Sequence, residues 1–170
     1  LSFWYPTPNS WFFTRGADAA PMRIKVAAAV GHSVVSSGTE TAGAFEQKLN
    51  AQPFFVAGNW ETSEQNGIAV LLPKGVSSDG QKRAAELASL MSEARVFVSA
   101  ILGNAPSTPL RIVASRRGAG FSGGGTVLVD EAVFRRSKID SLTAMNIAEA
   151  VVKVWLGGST TVNAEGYGVI

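Results

Sequence analysis

The sequence has no cysteine and only one histidine, His32. Without thiols the chain forms no disulfide bond, no cysteine-ligated metal centre and no cysteine nucleophile. A single imidazole also cannot supply the paired histidines of a zinc hydrolase. Because His32 lies between Gly31 and Ser33, in a context typical of a turn, we interpret it as a structural residue. These absences exclude thiol chemistry and any metal site that needs two imidazoles.

Charged residues are scarce as well. Asp, Glu, Lys and Arg make up 16% of the 170 residues, compared with about 25% in an average soluble domain, whereas hydrophobic residues make up 46%. The net charge of +2 does not indicate nucleic-acid binding, since phosphate contacts need many clustered Lys and Arg side chains. The composition is that of a globular domain. Its shortage of surface charge predicts that a partner, or more of the parent chain, covers part of its apolar surface.

Long hydrophobic runs are absent too. No run reaches the roughly 18 apolar residues of a membrane-spanning helix, and Leu1 does not open a signal peptide with its basic and apolar regions. The length is that of about one domain. Because the chain begins without methionine and ends at Ile170 without a polar tail, we expect it to be a piece of a longer parent protein.

The first part of the chain has the signals of short strands. The alternation of Met22, Ile24 and Val26 with charged residues predicts a strand over about 22–29. Residues 39–51 are small and polar, which favours a short helix or a linker before Pro53. We therefore place a domain boundary there, with residues 1–52 before it and 53–170 after it.

The second part alternates strands with two longer helices. Residues 54–56 and 67–72 are predicted to form a hairpin-like pair, and 110–115 and 126–129 to be two further strands. Ser78 or Asp79 is predicted to cap the start of the first helix, and Gly103, followed by Pro106, to end it. Its predicted apolar face comprises Ala84, Leu87, Ala88, Met91, Val98, Ile101 and Leu102. A second helix is predicted from about 140 to 156, and the order of elements favours an α+β or α/β fold.

A glycine-rich segment, Gly118–Gly125, precedes the last of these strands. Such a run is able to cradle a phosphate through backbone N–H groups, but here no Lys-Ser/Thr pair follows and the segment leads into a strand rather than a helix. We therefore interpret it as a turn or bulge that brings the backbone close to another group.

The end of the second helix resembles a known catalytic motif. Trp155, Leu156 and Gly157 match, in order, the tail of the His-Glu-x-x-His zinc helix of the membrane alanyl aminopeptidases, which are gluzincin metallopeptidases. In that frame Glu149 occupies the position of the first zinc histidine, Ala150 that of the general-base glutamate, and Lys153 that of the second histidine. An alternative stays open: Ile147, Val151 and Trp155 recur every four residues, as in the core stripe of any amphipathic helix.

The resemblance continues upstream of this helix. Gly118 and Ala119 match the start of the family's Gly-Ala-Met-Glu-Asn motif, whereas Gly120, Phe121 and Ser122 stand at its Met, Glu and Asn positions. Residues 54–58 resemble the first strand of the family's catalytic domain. The resemblance therefore implies an α+β fold: a mixed β-sheet with two main helices, as at the start of a thermolysin-like catalytic domain. Residues 1–52 would be strands from the end of the preceding β-sandwich domain.

The same resemblance implies a protein without catalysis. Zinc needs three protein ligands, whereas Glu149 and Lys153 would form a helix-surface ion pair and Ala150 has no carboxylate to act as a base. Phe121 cannot hold a substrate ammonium, and the family's third ligand would fall about two positions beyond Ile170. We expect no zinc, no other cofactor and no hydrolysis of aminoacyl amides.

The implied role is non-catalytic binding or scaffolding, either of peptide laid along residues 126–129 or of the remainder of the parent chain. Two alternatives stay open: an active peptidase whose catalytic residues lie outside this chain, and a structural or assembly domain. The family favours an extracytoplasmic or membrane-tethered parent. The resemblance also predicts that both helices pack on one side of the sheet, and that Glu149 and Lys153 face the 118–125 segment within about 15 Å, the reach of two long side chains.

Overall fold

The fold is that of a computed structural model, which describes residues 2–4, 21–47, 53–116 and 118–156 and the backbone of 161–162 and 168–169. Two α-helices are present, α1 (Ser78–Leu102) and α2 (Ser141–Trp155), and a 3-10 helix spans Glu131–Arg135. The strands in chain order are β1 (Ser2–Trp4), β2 (Met22–Ile24), β3 (Ser33–Ser36), β4 (Thr39–Thr41), β5 (Ala44–Gln47), β6 (Phe55–Gly58), β7 (Trp60–Gln65), β8 (Ile68–Pro73), β9 (Leu110–Ser115), β10 (Ser122–Gly123), β11 (Thr126–Asp130), β12 (Thr161–Val162) and β13 (Gly168–Val169).

A five-stranded mixed sheet organises the second part of the chain, in the order β10-β11-β9-β8-β7. Its three central strands are parallel, with Ile68 opposite Leu110 and Arg111 opposite Thr126. The outer strands, β7 and β10, pair antiparallel with their neighbours. Since β8 and β9 are parallel, the chain must cross back between them, and α1 makes that connection. The predicted α+β class is confirmed.

Both helices begin at recognisable capping residues, and α1 also ends at one. Ser77 caps α1 by accepting a hydrogen bond from the N–H of Gly80, and Gly103, with φ of +87°, ends it. Asp140 caps α2 by accepting from the N–H of Thr143. The predicted extent of both helices is confirmed, although the cap of α1 is Ser77 rather than Ser78 or Asp79. In the part of the chain that the structure describes, neither helix has the length and apolarity needed to cross a membrane.

One face of the sheet packs against both helices, as predicted. The buried residues of this helix-face cluster are all apolar and come from α1, α2, the 3-10 helix and the three parallel strands. They are Ile68, Val70, Leu72, Ala84, Leu87, Ala88, Met91, Val98, Leu110, Ile112, Ala114, Val127, Val129, Val133, Phe134, Ile147, Ala150 and Val151. Trp155 packs against the cluster but is only partly buried.

The opposite face of the sheet carries a second, smaller cluster. It consists of Val35, Phe54, Val56, Leu71, Val113 and Leu128, with Phe3 and Phe121 packed against it. Its cover is a three-stranded antiparallel sheet in the order β1-β6-β3. A separate three-stranded sheet has the order β2-β5-β4. Because β6 follows Pro53 while β1 and β3 precede it, the strand pairing crosses the position where we predicted a domain boundary.

Several expectations about the strands are wrong. Residues 68–73 pair not with 54–56 but with β7, the segment 60–65 that the sequence suggested was connecting chain. Within 39–51, residues 39–41 and 44–47 form a hairpin rather than a helix or linker, and 48–51 lie outside the described residues. The strand predicted over 22–29 is limited to Met22–Ile24.

The predicted apolar face of α1 is wrong at its end. Ile101 and Leu102 are 65% and 51% exposed, because the helix extends beyond the sheet that buries its earlier turns.

Candidate functional site

The glycine-rich segment folds into a turn followed by a bulge. Phe121 donates its N–H to the carbonyl of Gly118 (2.9 Å), and Gly120, the third residue of this turn, has a φ of +89°, as a type II turn requires. Gly120 also donates to Leu128 O, and Leu128 N–H donates to Phe121 O, both at 2.9 Å. Two residues therefore oppose one, with glycine in the first position, which is the pattern of a G1 bulge. The predicted turn or bulge is confirmed.

The close approach that this glycine turn permits is to Phe3. A methyl group at Gly118 would lie 2.3 Å from the Phe3 ring, so only glycine allows β1 to pack here. Phe121 lies beside the same ring, with centroids 5.2 Å apart, and 5.0 Å from the ring of Phe54. The aromatic ring of Phe121 is therefore packed into the second cluster.

Ser122 faces the other side of the sheet, because successive side chains of a strand alternate. Lys153 of α2 donates from Nζ to Ser122 Oγ (2.9 Å) and forms an ion pair with Glu149 Oε1 (2.6 Å). The side chains of Lys153 and Glu149 are 31% and 47% exposed. Lys153 therefore links the last turn of α2 to β10, and the expected direction of this side chain toward the glycine-rich segment is confirmed.

The polar groups of this arrangement are engaged with one another. The Lys153 ammonium is ion-paired and donates to Ser122, so it has no lone pair with which to activate that hydroxyl as a nucleophile. Ala150 is buried in the helix-face cluster. Within the described ranges, no three His, Cys, Asp or Glu side chains lie close enough together to hold a metal ion. The arrangement therefore consists of one ion pair and one side-chain hydrogen bond between α2 and β10.

Backbone groups of β10 are presented on the outer edge of the sheet. The bulge makes Leu128 a hydrogen-bonded partner of Gly120 and Phe121, so the next pair, Ser122 with Val127, is of the non-hydrogen-bonded kind. The N–H and C=O of Ser122 consequently point away from β11. Because β10 ends the strand order, no strand within the described part of the chain pairs with this edge.

The strand we expected to receive a peptide, residues 126–129, is not itself an edge. β9 pairs with β11 along one side. Along the other side, residues 120–123 hydrogen-bond to it. With both sides occupied, β11 cannot accept another strand, and that expectation is wrong. The open edge belongs to β10, which was expected only as a degenerate loop.

His32 lies away from this site. Its N–H donates to the carbonyl of Ala29 (3.0 Å) in a turn, and its side chain lines a groove of about 320 Å³ together with Lys25 and Phe55. A different polar residue was missed by sequence reasoning: Arg111, which lines a cavity of about 220 Å³ on the face of the second cluster. The available signal was a single charge within the mostly apolar strand Leu110–Ser115.

No family model matches this chain, and no curated protein matches it significantly.

Proposed function

We propose that this chain is a non-catalytic, peptide-binding relative of the membrane alanyl aminopeptidases, and that an extended peptide pairs with the outer edge of β10. The observation that carries the proposal is the pair of outward backbone groups on Ser122, held beside α2 by Lys153. The resemblance of residues 118–122 and 146–157 to two motifs of that family supports the ancestry.

An edge strand recognises peptide through its main chain. A donor and an acceptor on the same residue match the C=O and N–H of an incoming antiparallel strand, whatever the sequence of that strand. The Lys153 bridge fixes the neighbouring helix, and Glu149 and Lys153 add one charge of each sign beside the edge. Main-chain pairing then supplies affinity, and these two charges supply a preference among peptides.

Binding without catalysis agrees with the residues at the former catalytic positions. Lys153 is engaged as a cation, Ala150 lies in the core, and Phe121 fills the second cluster. General-base chemistry needs a side chain that accepts a proton near the scissile bond, and none of these three does so.

Substitution of Ser122 tests the proposal. Proline is tolerated on an edge strand where the N–H points outward, so Ser122→Pro removes the donor offered to the peptide and keeps the bonds between β10 and β11. The matched control is Ser122→Ala, which removes only the hydroxyl contacted by Lys153. The probes are three fluorescein-labelled hexapeptides based on alternating valine and threonine: one neutral, one with acidic residues and one with basic residues. Their binding is measured by fluorescence anisotropy.

We expect Ser122→Pro to weaken binding about tenfold or more, a loss of about 1.4 kcal/mol, and Ser122→Ala to change it by less than about threefold. Equal affinity of the proline variant and the unaltered protein, or no binding of any of the three peptides to the unaltered protein, would overturn the proposal. Turnover of aminoacyl amides that survives repurification and chelator treatment would overturn its non-catalytic part.

A further inference from the structure

A second polar site lies on the opposite side of the sheet from the helices. In β9, Leu110, Ile112 and Ala114 belong to the helix-face cluster, whereas Val113 belongs to the second cluster. The alternation of a strand therefore directs Arg111 to the side of the second cluster. There it lines a cavity of about 220 Å³, whose other walls include Ser37, Thr39, Gln47, Ser107, Thr108 and Gly124.

Among the residues that the structure describes, no carboxylate pairs with the Arg111 guanidinium. No carboxylate lines the cavity, and none of the hydrogen bonds and ion pairs found within the described residues uses this guanidinium. Burial lowers the pKa of Arg111, with no opposing contribution from a neighbouring acid. A partly buried cation without a partner destabilises the folded protein, so its presence at this position calls for a ligand that compensates it.

Hydroxyl groups around Arg111 provide further donors. Ser37 Oγ accepts a hydrogen bond from the N–H of Phe54 (3.2 Å), which leaves its own proton available to donate. On the neighbouring strand Thr126 stands in register with Arg111, is fully buried, and its Oγ1 has no hydrogen-bond partner within the described part of the chain. This hydroxyl does not line the cavity; the hydroxyl residues that do are Ser37, Thr39, Ser107 and Thr108.

We propose that this cavity binds a small oxyanion, a carboxylate or phosphate group, with the Arg111 guanidinium as its principal ligand. The planar guanidinium offers two parallel N–H donors that match two oxygens of either group, and it is the side chain best suited to such pairing. A volume of about 220 Å³ is several times the roughly 30 Å³ share of one water, so a small anion fits with some of its hydration. No residue of β10 lines this cavity, so the proposal does not depend on peptide binding.

The test is a titration of the whole chain in a chloride buffer free of oxyanions. The probes are inorganic phosphate and acetate, with sodium chloride at matched ionic strength, and the readouts are calorimetric affinity and melting temperature. Arg111→Gln removes the charge, Arg111→Lys keeps the charge without the planar fork, and Arg135→Gln is the control that removes one exposed positive charge outside the cavity.

We expect saturable binding of at least one probe, weakened tenfold or more by Arg111→Gln, weakened less by Arg111→Lys and unchanged by Arg135→Gln. Binding of phosphate alone, acetate alone or both identifies which oxyanion the site accepts. Without probe, Arg111→Gln should melt at the same temperature as the unaltered protein or higher, because it removes an uncompensated charge. If it does not fold, the lysine variant alone decides. Absence of saturable binding, or equal affinity in the Arg111 variants, would overturn the proposal.

Discussion

The two faces of the central sheet are built from the same strands but contain different kinds of residue. On the helix face, every buried side chain of the cluster is apolar, and two helices cover it. On the other face the apolar cluster is smaller, and the buried polar side chains of the described residues lie on this side except for Thr143. The half-buried Arg111 lies here as well. The purely apolar face stabilises the fold. Burying polar groups on the other face costs desolvation free energy, but those groups are able to bind a ligand.

This comparison is tested most strongly by two adjacent leucines of β8. Leu72 is fully buried on the helix face and Leu71 is 7% exposed on the other. We expect Leu72→Ala to lower the free energy of unfolding by about 4 kcal/mol and Leu71→Ala by about 2.5 kcal/mol, since the cost grows with the cavity left behind. Urea denaturation of both variants measures the difference. A larger loss for Leu71→Ala would show that the second face dominates stability.

A glycine substitution tests how the second face holds β1. Gly118 and Gly31 have nearly equal φ values, +77° and +78°, but only at Gly118 would an added methyl group collide with Phe3. Gly31→Ala should therefore cost about 1 kcal/mol from backbone strain alone, and Gly118→Ala about 2 to 3 kcal/mol. When Phe3 is also replaced by alanine, most of the difference in cost between Gly118→Ala and Gly31→Ala should disappear. Equal costs for the two glycine variants would mean that β1 does not pack on the turn.

The smallest effect concerns the cap of α2. The N–H of Thr143 first, and then Arg136, hold the pKa of Asp140 below its ordinary value of 3.8. Since the folded pKa is the lower one, the stabilisation is complete above the ordinary value and is lost as the pH falls below it, through the folded pKa. Asp140→Ala should cost about 1 kcal/mol at neutral pH, whereas Asp140→Asn keeps a cap and removes the titration.

Urea denaturation of these variants between pH 7 and pH 2.5 measures this effect. The unaltered protein should lose its advantage over Asp140→Ala in the acid range, and Asp140→Asn should hold its advantage over that variant at every pH. If the advantage over Asp140→Ala is independent of pH, the charge of the cap has no part in it.

Sequence reasoning succeeded where the signal is local. The spacing of Ala84, Leu87, Ala88 and Met91 predicted α1, and all of them are buried. It failed for β7, whose residues Trp60–Gln65 are mostly polar because an edge strand exposes much of its surface. Apolar runs predict buried strands but not polar edge strands. For this reason β7, the true hairpin partner of β8, was interpreted as connecting chain.

In the candidate site too, the local features were predictable from the sequence and the long-range contacts were not. The spacing of Glu149 and Lys153 on one helix indicated their ion pair, and the glycines of 118–125 indicated a turn. Which group the turn approaches was not readable, since Phe3 and Gly118 are separated by more than a hundred residues. The free edge of β10 was not predictable from the sequence either, because it depends on how the bulge places Ser122 relative to β11.

The sequence by itself determined the two helices, the cap of α2 at Asp140 and the glycine-rich turn, because helical hydrogen bonds, caps and turns join residues only a few positions apart. The tertiary structure alone decided which strands pair and that Lys153 contacts Ser122. It also decided that, among the described residues, β10 is left as an open edge and Arg111 lines a cavity without a counter-charge. Each of these depends on contacts between residues distant in sequence. Such contacts are selected by the packing of the whole sheet against its two layers, and no local pattern encodes them.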